Sequence, residues 1–296
     1  MSAPSFDLQS HSLHSDGILS PSEVVARAAD AGVELLALSD HDTVDGVEEA
    51  LRAGAEHGVA VVPATEISAV DGAYEDLHVL GYGIDHRDPV LLERLRDARR
   101  DRERRAERMA QRLQELGFAV DPAPLERRRA AGKPIGRPHL AQAVLDHPDN
   151  AQRLAAEGHR DVSSFIPAYL IQGKPGYLAR THPTVAEAIR WIHDAGGLAV
   201  WAHPFWDVDA DDEVLAAIDR YAAAGLDGVE CFYPTHTAQQ TRLLVDRCAA
   251  LGLLTTGSSD FHGPEHRLFS RFRAHPLHGA AAPDLSRLEA AAAAAR

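Results

Sequence analysis

Cysteine is nearly absent from the chain, with Cys231 and Cys248 as its only two. Two are too few for a disulfide framework and this pair lacks metal-ligand spacing, so a reducing compartment and two buried apolar thiols are expected. Long apolar runs are also missing. No stretch approaches the roughly 18 consecutive apolar residues of a membrane span, and the N-terminus has no basic segment leading into an apolar one. The expectation is a soluble, cytoplasmic protein without a membrane partner. Positive charge is in deficit, 30 Lys and Arg against 44 Asp and Glu, for a net charge of -14. A phosphate backbone would be repelled by that balance, so long duplex nucleic acid is not an expected partner.

What is present suits a large core and a metal site. The 296 residues are 45% hydrophobic, enough for one α/β barrel or two smaller domains. Seventeen histidines beside abundant Asp and Glu offer nitrogen and oxygen ligands.

From Phe6 to Gly83 short apolar runs alternate with amphipathic segments. Ser20 and Pro21 open a helix that Gly32 ends, and Glu34 to Leu38 reads as a buried strand. A second helix fits Val44 to His57 and is closed by Gly58, with strands at Val59 to Val62 and His78 to Tyr82. Between Asp85 and His182 the character changes. Arg and Glu crowd Leu92 to Leu116, a charged helix with Ala106, Met109, Leu113 and Leu116 as its buried stripe, and helical pieces follow at Leu140 to Leu145 and Val162 to Leu170. The Arg-rich face is expected to be solvated rather than a nucleic-acid surface.

The βα alternation then resumes, with strands at Leu198 to Ala202, Gly228 to Phe232 and Leu253 to Thr256, and a terminal helix in the Ala-rich tail from Ala280. The expected organisation is a barrel in two parts, 1–85 and 184–296, around a mostly helical insertion, 86–183, acting as a partial lid.

Nearly every strand ends in a potential metal ligand, as a βα barrel requires, because its sites form at the carboxyl ends of parallel strands. His11 and Asp16 follow the first strand, His41 the second and Glu66 the third, while His78 opens the fourth; His203 follows Leu198 to Ala202, and Asp260 and His262 follow Leu253 to Thr256. One such histidine would be unremarkable. Recurrence at strand after strand is explained by one cluster of divalent ions.

These residues resemble the polymerase and histidinol phosphatase (PHP) superfamily of metal-dependent phosphoesterases. The resemblance is carried by DLQSHSLHSDG at Asp7 to Gly17, LSDHDT at Leu38 to Thr43, AHP at Ala202 to Pro204 and SSDFHG at Ser258 to Gly263. GRPHLAQAV at Gly136 to Val144 and YLIQGKPGYL at Tyr169 to Leu178 are similar to the branch of nucleoside 3',5'-bisphosphate phosphatases and a 5'-to-3' exoribonuclease. It implies an α/β fold, a distorted seven-stranded (β/α) barrel with the helical domain inserted after the strand of His78.

By position, the resemblance implies one metal held by residue 9, His11, Glu66 and Asp260, a second by Glu66, His78 and His203, and a third by Asp16, His41 and His262. Two or three manganese, iron or zinc ions are expected. The chain departs from the pattern at Gln9, where the family usually has histidine; a neutral amide oxygen is a weaker and harder donor than imidazole. Nearby His14 is an additional imidazole.

Arg137 and Lys174 match phosphate-contact positions of that branch, and His139 and His236 lie in motif-like stretches, with His236 as a further substrate-binding candidate. His203 and His262 are the histidines put forward for catalysis. The expected reaction is hydrolysis of a phosphate monoester of a small nucleotide by hydroxide bridging two ions. A sugar or histidinol phosphate, an oligonucleotide end, or a non-catalytic metal-binding role are the alternatives.

Overall fold

The computed structural model describes residues 4–72, 74–130, 135–180 and 182–295. Seven strands form one sheet in sequence order: β1 (Phe6–Asp7), β2 (Leu35–Leu38), β3 (Ala60–Asp71), β4 (Tyr74–Tyr82), β5 (Leu198–Trp201), β6 (Gly228–Phe232) and β7 (Leu254–Gly257). The first three pair in parallel, as do the last three. The sheet closes nearly to a barrel: the Leu8 N–H donates to the Gly257 carbonyl at 3.2 Å, and Ser10 bridges Phe261.

Alternation along the strands separates two apolar environments. Leu35, Ala37, Val62, Ala64, Leu80, Tyr82, Val200 and Ala202 point inward, whereas Leu36, Leu38, Val61, Val79 and Trp201 pack under the surrounding helices. Local signals in the sequence set the ends of two of these helices. Ser20 with Glu23 caps α1 (Pro21–Asp30), and the left-handed Gly58 closes α2 (Val47–His57).

Two expectations about strands change. β3 does not stop at Val62 but runs to Asp71, and β4 starts at Tyr74 and returns antiparallel beside it. β4 is antiparallel to β5 as well. Glu66 and His78 therefore lie within a hairpin rather than at strand ends. The sequence cue was Gly72, which opens the connection between the two strands and has φ 60°, the positive value a hairpin turn asks of its first central residue.

The chain divides into two units, Met1–Arg96 with His182–Arg296, and Asp97–Thr181. The division falls inside α3 (Pro89–Glu115). The second unit also holds α4 (Pro122–Ala130), α5 (Arg137–Leu145), α6 (Ala151–Glu157) and α7 (Val162–Tyr169), around a core of Met109, Leu113, Phe118, Leu140, Val144, Phe165 and Leu170. The helix α4 was not expected, because in a run dominated by arginine only Leu125 is buried.

In the first unit the barrel is completed by α8 (Val185–Asp194), α9 (Asp211–Ala223), α10 (Ala238–Leu251) and α11 (Ser286–Ala294). The last of these is well anchored: Leu288 and Ala292 are buried against Phe6, Leu35, Val62 and Tyr82 at one end of the barrel interior. Cys231 and Cys248 are both buried, on β6 and α10. No helix among the described residues is long and apolar enough to cross a membrane.

Candidate metal centre

The end of the barrel interior opposite α11 gathers the polar residues. Beyond β1 the chain runs through Gln9, Ser10 and His11, and its following turn is pinned by Asp40, which accepts from the Ser12 N–H, the Ser12 hydroxyl and the Ser15 hydroxyl at 2.7 Å each. His41 forms a bridge with Glu66, held by the Asp42 N–H donating to the Glu66 carbonyl at 2.8 Å. Asp42 in turn accepts the Ser68 N–H at 2.8 Å, and so locks the β2 turn to β3. Two candidate ligands, His203 (φ 30°) and Asp260 (φ 53°), occupy the left-handed region that residues with a Cβ normally avoid. Their surroundings hold them there. The His203 N–H donates to Glu230 at 2.9 Å, and the Tyr233 hydroxyl donates to Asp260 Oδ2 at 2.7 Å.

Glu66 is the hub. Its Oε2 lies 3.1 Å from His11 Nε2 and 3.6 Å from His41 Nδ1, while its Oε1 lies 2.8 Å from His78 Nδ1 and 3.3 Å from His203 Nε2. Asp260 Oδ1 is 3.1 Å from His11 Nε2. Asp16 reaches His41 at 3.6 Å and His262 at 3.4 Å. Three overlapping sets could each hold a cation: His11, Asp16, His41 and His262; His41, Glu66 and His78; and His11, Glu66 and Asp260. His203 joins the second set through its 3.3 Å approach to both His78 and Glu66.

The electrostatics fit the same role. Burial by itself would raise the Glu66 carboxyl, but the surrounding imidazoles of His41, His78, His11 and His203 outweigh it and hold the group well below the usual range. Asp260 is likewise opposed by burial, yet His262 and His11 bring it down to about 2. Burial pushes His41 down to about 4, which leaves a neutral imidazole with a free lone pair. His11 Nε2, His41 Nδ1, His203 Nδ1 and Asp260 Oδ1 are buried without a hydrogen-bond partner. Buried polar atoms are rarely left so, and divalent cations would satisfy donors of this kind. His262 shows how the ring is aimed: its Nδ1–H donates to the Asp260 carbonyl at 2.7 Å, so Nε2 faces Asp16.

Gln9 behaves differently from its neighbours. Its amide N–H donates to Glu66 Oε2 at 2.9 Å, and its oxygen accepts from Ser258 at 3.3 Å. The amide thus occupies a lone pair of the hub carboxylate. His14 is exposed and belongs to none of the three sets. His139 caps α5 by accepting the Gly136 N–H at 3.0 Å. His236 is buried and pushed down to about 4, chiefly by that burial; its Nδ1–H donates to the Cys231 carbonyl at 3.1 Å, which leaves Nε2 as an unpartnered acceptor. Arg137 opens α5, and Lys174 is exposed in a turn closed on Ile171, both in the second unit.

Several supporting residues were not singled out from sequence. Asp7 binds the Ser259 N–H at 2.8 Å and Glu230 accepts the Ser258 hydroxyl at 2.5 Å, so both orient the strand end that carries Asp260. Burial, reinforced by the nearby Asp260 charge, raises Glu230 well above the carboxylate range. Asp7, Asp40 and Asp42 stood inside the quoted motifs, and carboxylates among histidines were the available signal. Glu230 and Tyr233 had no such marker.

Comparison with known proteins bears on the family. The PHP domain matches residues 7–192. A 3',5'-nucleoside bisphosphate phosphatase of Chromobacterium violaceum is 33% identical over 258 residues, 87% of each chain. A 5'-3' exoribonuclease of Haemophilus influenzae is 32% identical over 88% of this chain and 90% of its own. Among solved structures, a protein from Bifidobacterium adolescentis described as a metal-dependent phosphoesterase superposes with a TM-score of 0.70 at 29% identity, covering 90% of this chain and 91% of its own.

Proposed function

This chain belongs to the PHP domain family and is a metal-dependent phosphoesterase; from that premise we propose that it hydrolyses a phosphate monoester of a small nucleotide, a nucleoside 3',5'-bisphosphate before others. The observation that carries the chemistry is Glu66, a buried carboxylate shared by four imidazoles whose neighbouring polar atoms lack partners. The similarity to the bisphosphate phosphatase supports the nucleotide.

Two or three ions of manganese, iron or zinc would be held by His11, Asp16, His41, Glu66, His78, His203, Asp260 and His262. Divalent cations there would neutralise phosphoryl oxygens and make water a nucleophile near neutral pH. The protein's own residues aim the site. Asp40 holds the turn after His11, Tyr233 fixes the Asp260 carboxylate, and Glu230 holds the backbone of His203. His203 and His262 are proposed to act in catalysis as ligands that hold positive charge against the reacting phosphate, and the leaving oxygen takes its proton from water. Arg137 and Lys174 are proposed as phosphate contacts on their chemistry, a guanidinium that takes two oxygens at once and an ammonium point charge. His236, with an acceptor nitrogen, suits a substrate hydroxyl better than a phosphate oxygen.

A panel of substrates with added manganese tests the reading. Phosphate release from nucleoside 3',5'-bisphosphates should exceed that from sugar phosphates and from 5'-phosphorylated oligoribonucleotides. Sugar phosphates hydrolysed tenfold faster than the bisphosphate would overturn the nucleotide assignment.

A further inference from the structure

Large aromatic side chains seldom stand in water without a reason, and Trp206 is 48% exposed. It does not sit alone on the surface. The Trp206 backbone N–H donates to the carbonyl of His203 at 2.8 Å, so a single turn places Trp206 beside a candidate metal ligand, with ring centroids 6.5 Å apart. The indole packs edgewise on Tyr233 at 6.4 Å and tilted on Phe269 at 5.6 Å. Phe269 is itself tied to the other side of the cluster, because its carbonyl accepts the His262 N–H at 3.0 Å. His266 stacks on Phe269 at 5.1 Å with an interplanar angle of 9°. An aromatic shelf is therefore anchored by backbone hydrogen bonds to two candidate ligands, with Trp206 and His266 as its exposed rings.

We infer that Trp206 is a specificity residue that stacks the base of the substrate nucleotide, with Tyr233 and Phe269 holding the indole in place. This rests on the nucleotide reading given above and deepens it. The shelf offers π faces and apolar edges, so it recognises a base by stacking and tolerates different bases. Charge plays no part in the selection. His266, stacked on Phe269, adds a further ring to the shelf. A sugar phosphate has nothing to place there, and the shelf converts a general phosphoesterase site into one that prefers nucleotides.

The test compares kcat/KM for adenosine 3',5'-bisphosphate with that for ribose 5-phosphate, in the metal-loaded wild type and in Trp206→Leu and Trp206→Phe. Leucine keeps apolar bulk but removes the π face, whereas phenylalanine keeps a smaller one. Stacking of one base predicts that the ratio of the two values falls by about tenfold or more in Trp206→Leu, mainly through KM for the nucleotide. Trp206→Phe should keep most of the ratio. A wild type that prefers the nucleotide, with a ratio unchanged in Trp206→Leu, would overturn the shelf and leave the nucleotide reading standing. Equal losses on both substrates would also overturn it and make Trp206 a support for His203. A wild-type ratio near one would overturn the nucleotide reading and the shelf with it.

Discussion

At one end of the barrel interior Phe6, Leu35, Val62 and Tyr82 close on Leu288 and Ala292 of α11, whereas at the other Glu66, Glu230 and Asp260 crowd among imidazoles. The same strands build both ends: β3 carries Val62 and, further along, Glu66, and β4 carries Tyr82 and His78. Burial stabilises the first end by removing apolar surface from water and burdens the second with desolvated charge. The comparison teaches that the apolar end supplies the stability against which the polar end can be held in a chemically useful arrangement. Mutations at the two ends should therefore fail in different ways.

The largest effect is expected at the hub. Glu66→Gln keeps the shape but removes the charge shared by His11, His41, His78 and His203, and kcat/KM should fall on the order of 10³-fold with loss of bound metal. Metal-content analysis and phosphate release measure both. A variant that retained its metals and turnover would break the distinction between the ends.

Next comes the opposite end. Leu288→Ala should lower unfolding free energy by about 2–5 kcal/mol, read by denaturant titration, because Leu288 is buried and leaves a cavity. Activity of the folded fraction should be little changed. If turnover fell in step with stability, the two ends would be coupled rather than separate.

A smaller effect concerns pH. His275 is buried beside Phe6 with neither ring nitrogen hydrogen-bonded, and burial, with the Arg273 charge adding, pushes it down to about 3 from 6.5. Below pH 6.5 the unfolded chain takes up a proton that the folded protein refuses. Stability contributed by the neutral ring is thus present above that value and is lost as pH falls toward 3, by up to about 1.4 kcal/mol per pH unit. His275→Phe should show a shallower loss than wild type between pH 6.5 and 5 in parallel denaturant titrations at about the same metal concentration; equal slopes would exclude His275 as a source.

The smallest effect is expected at Gln9. Because its amide donates to Glu66 and offers the cluster no imidazole, the position shared with His11 and Asp260 should lose metal first on dialysis. Gln9→His should raise metal retained per chain, with a modest gain in rate at limiting manganese. Dialysis-resistant metal at every position in wild type would refute this.

Much of this was legible in the sequence because the ligands recur at fixed places in a repeating βα pattern. His11, His41, His203 and Asp260 each follow an apolar run that could be found by composition alone. The β3–β4 hairpin was harder. Ile67, Ala69, Leu77 and Val79 alternate with the polar Glu66, Ser68 and His78, so these stretches lack the continuous apolar run that marks β2 and β5. Gln9 was readable as a departure, while the direction of its amide was not, since that depends on Ser258, 249 positions away in the chain. The partners Glu230 and Tyr233 were invisible for the same reason: their roles arise from long-range contacts rather than local spacing.

The barrel closes between residues far apart in chain order. Leu8 meets Gly257, and α11, which seals the apolar end, follows every strand in chain order. A nascent chain on the ribosome therefore carries its inward-facing leucines and valines uncovered until Leu288 and Ala292 have emerged. The second unit has no such wait, since its core residues all fall between Ala106 and Leu170. The helical unit can fold while the barrel is still being translated, and closure of the barrel is the late, non-local step that leaves the chain most exposed to aggregation.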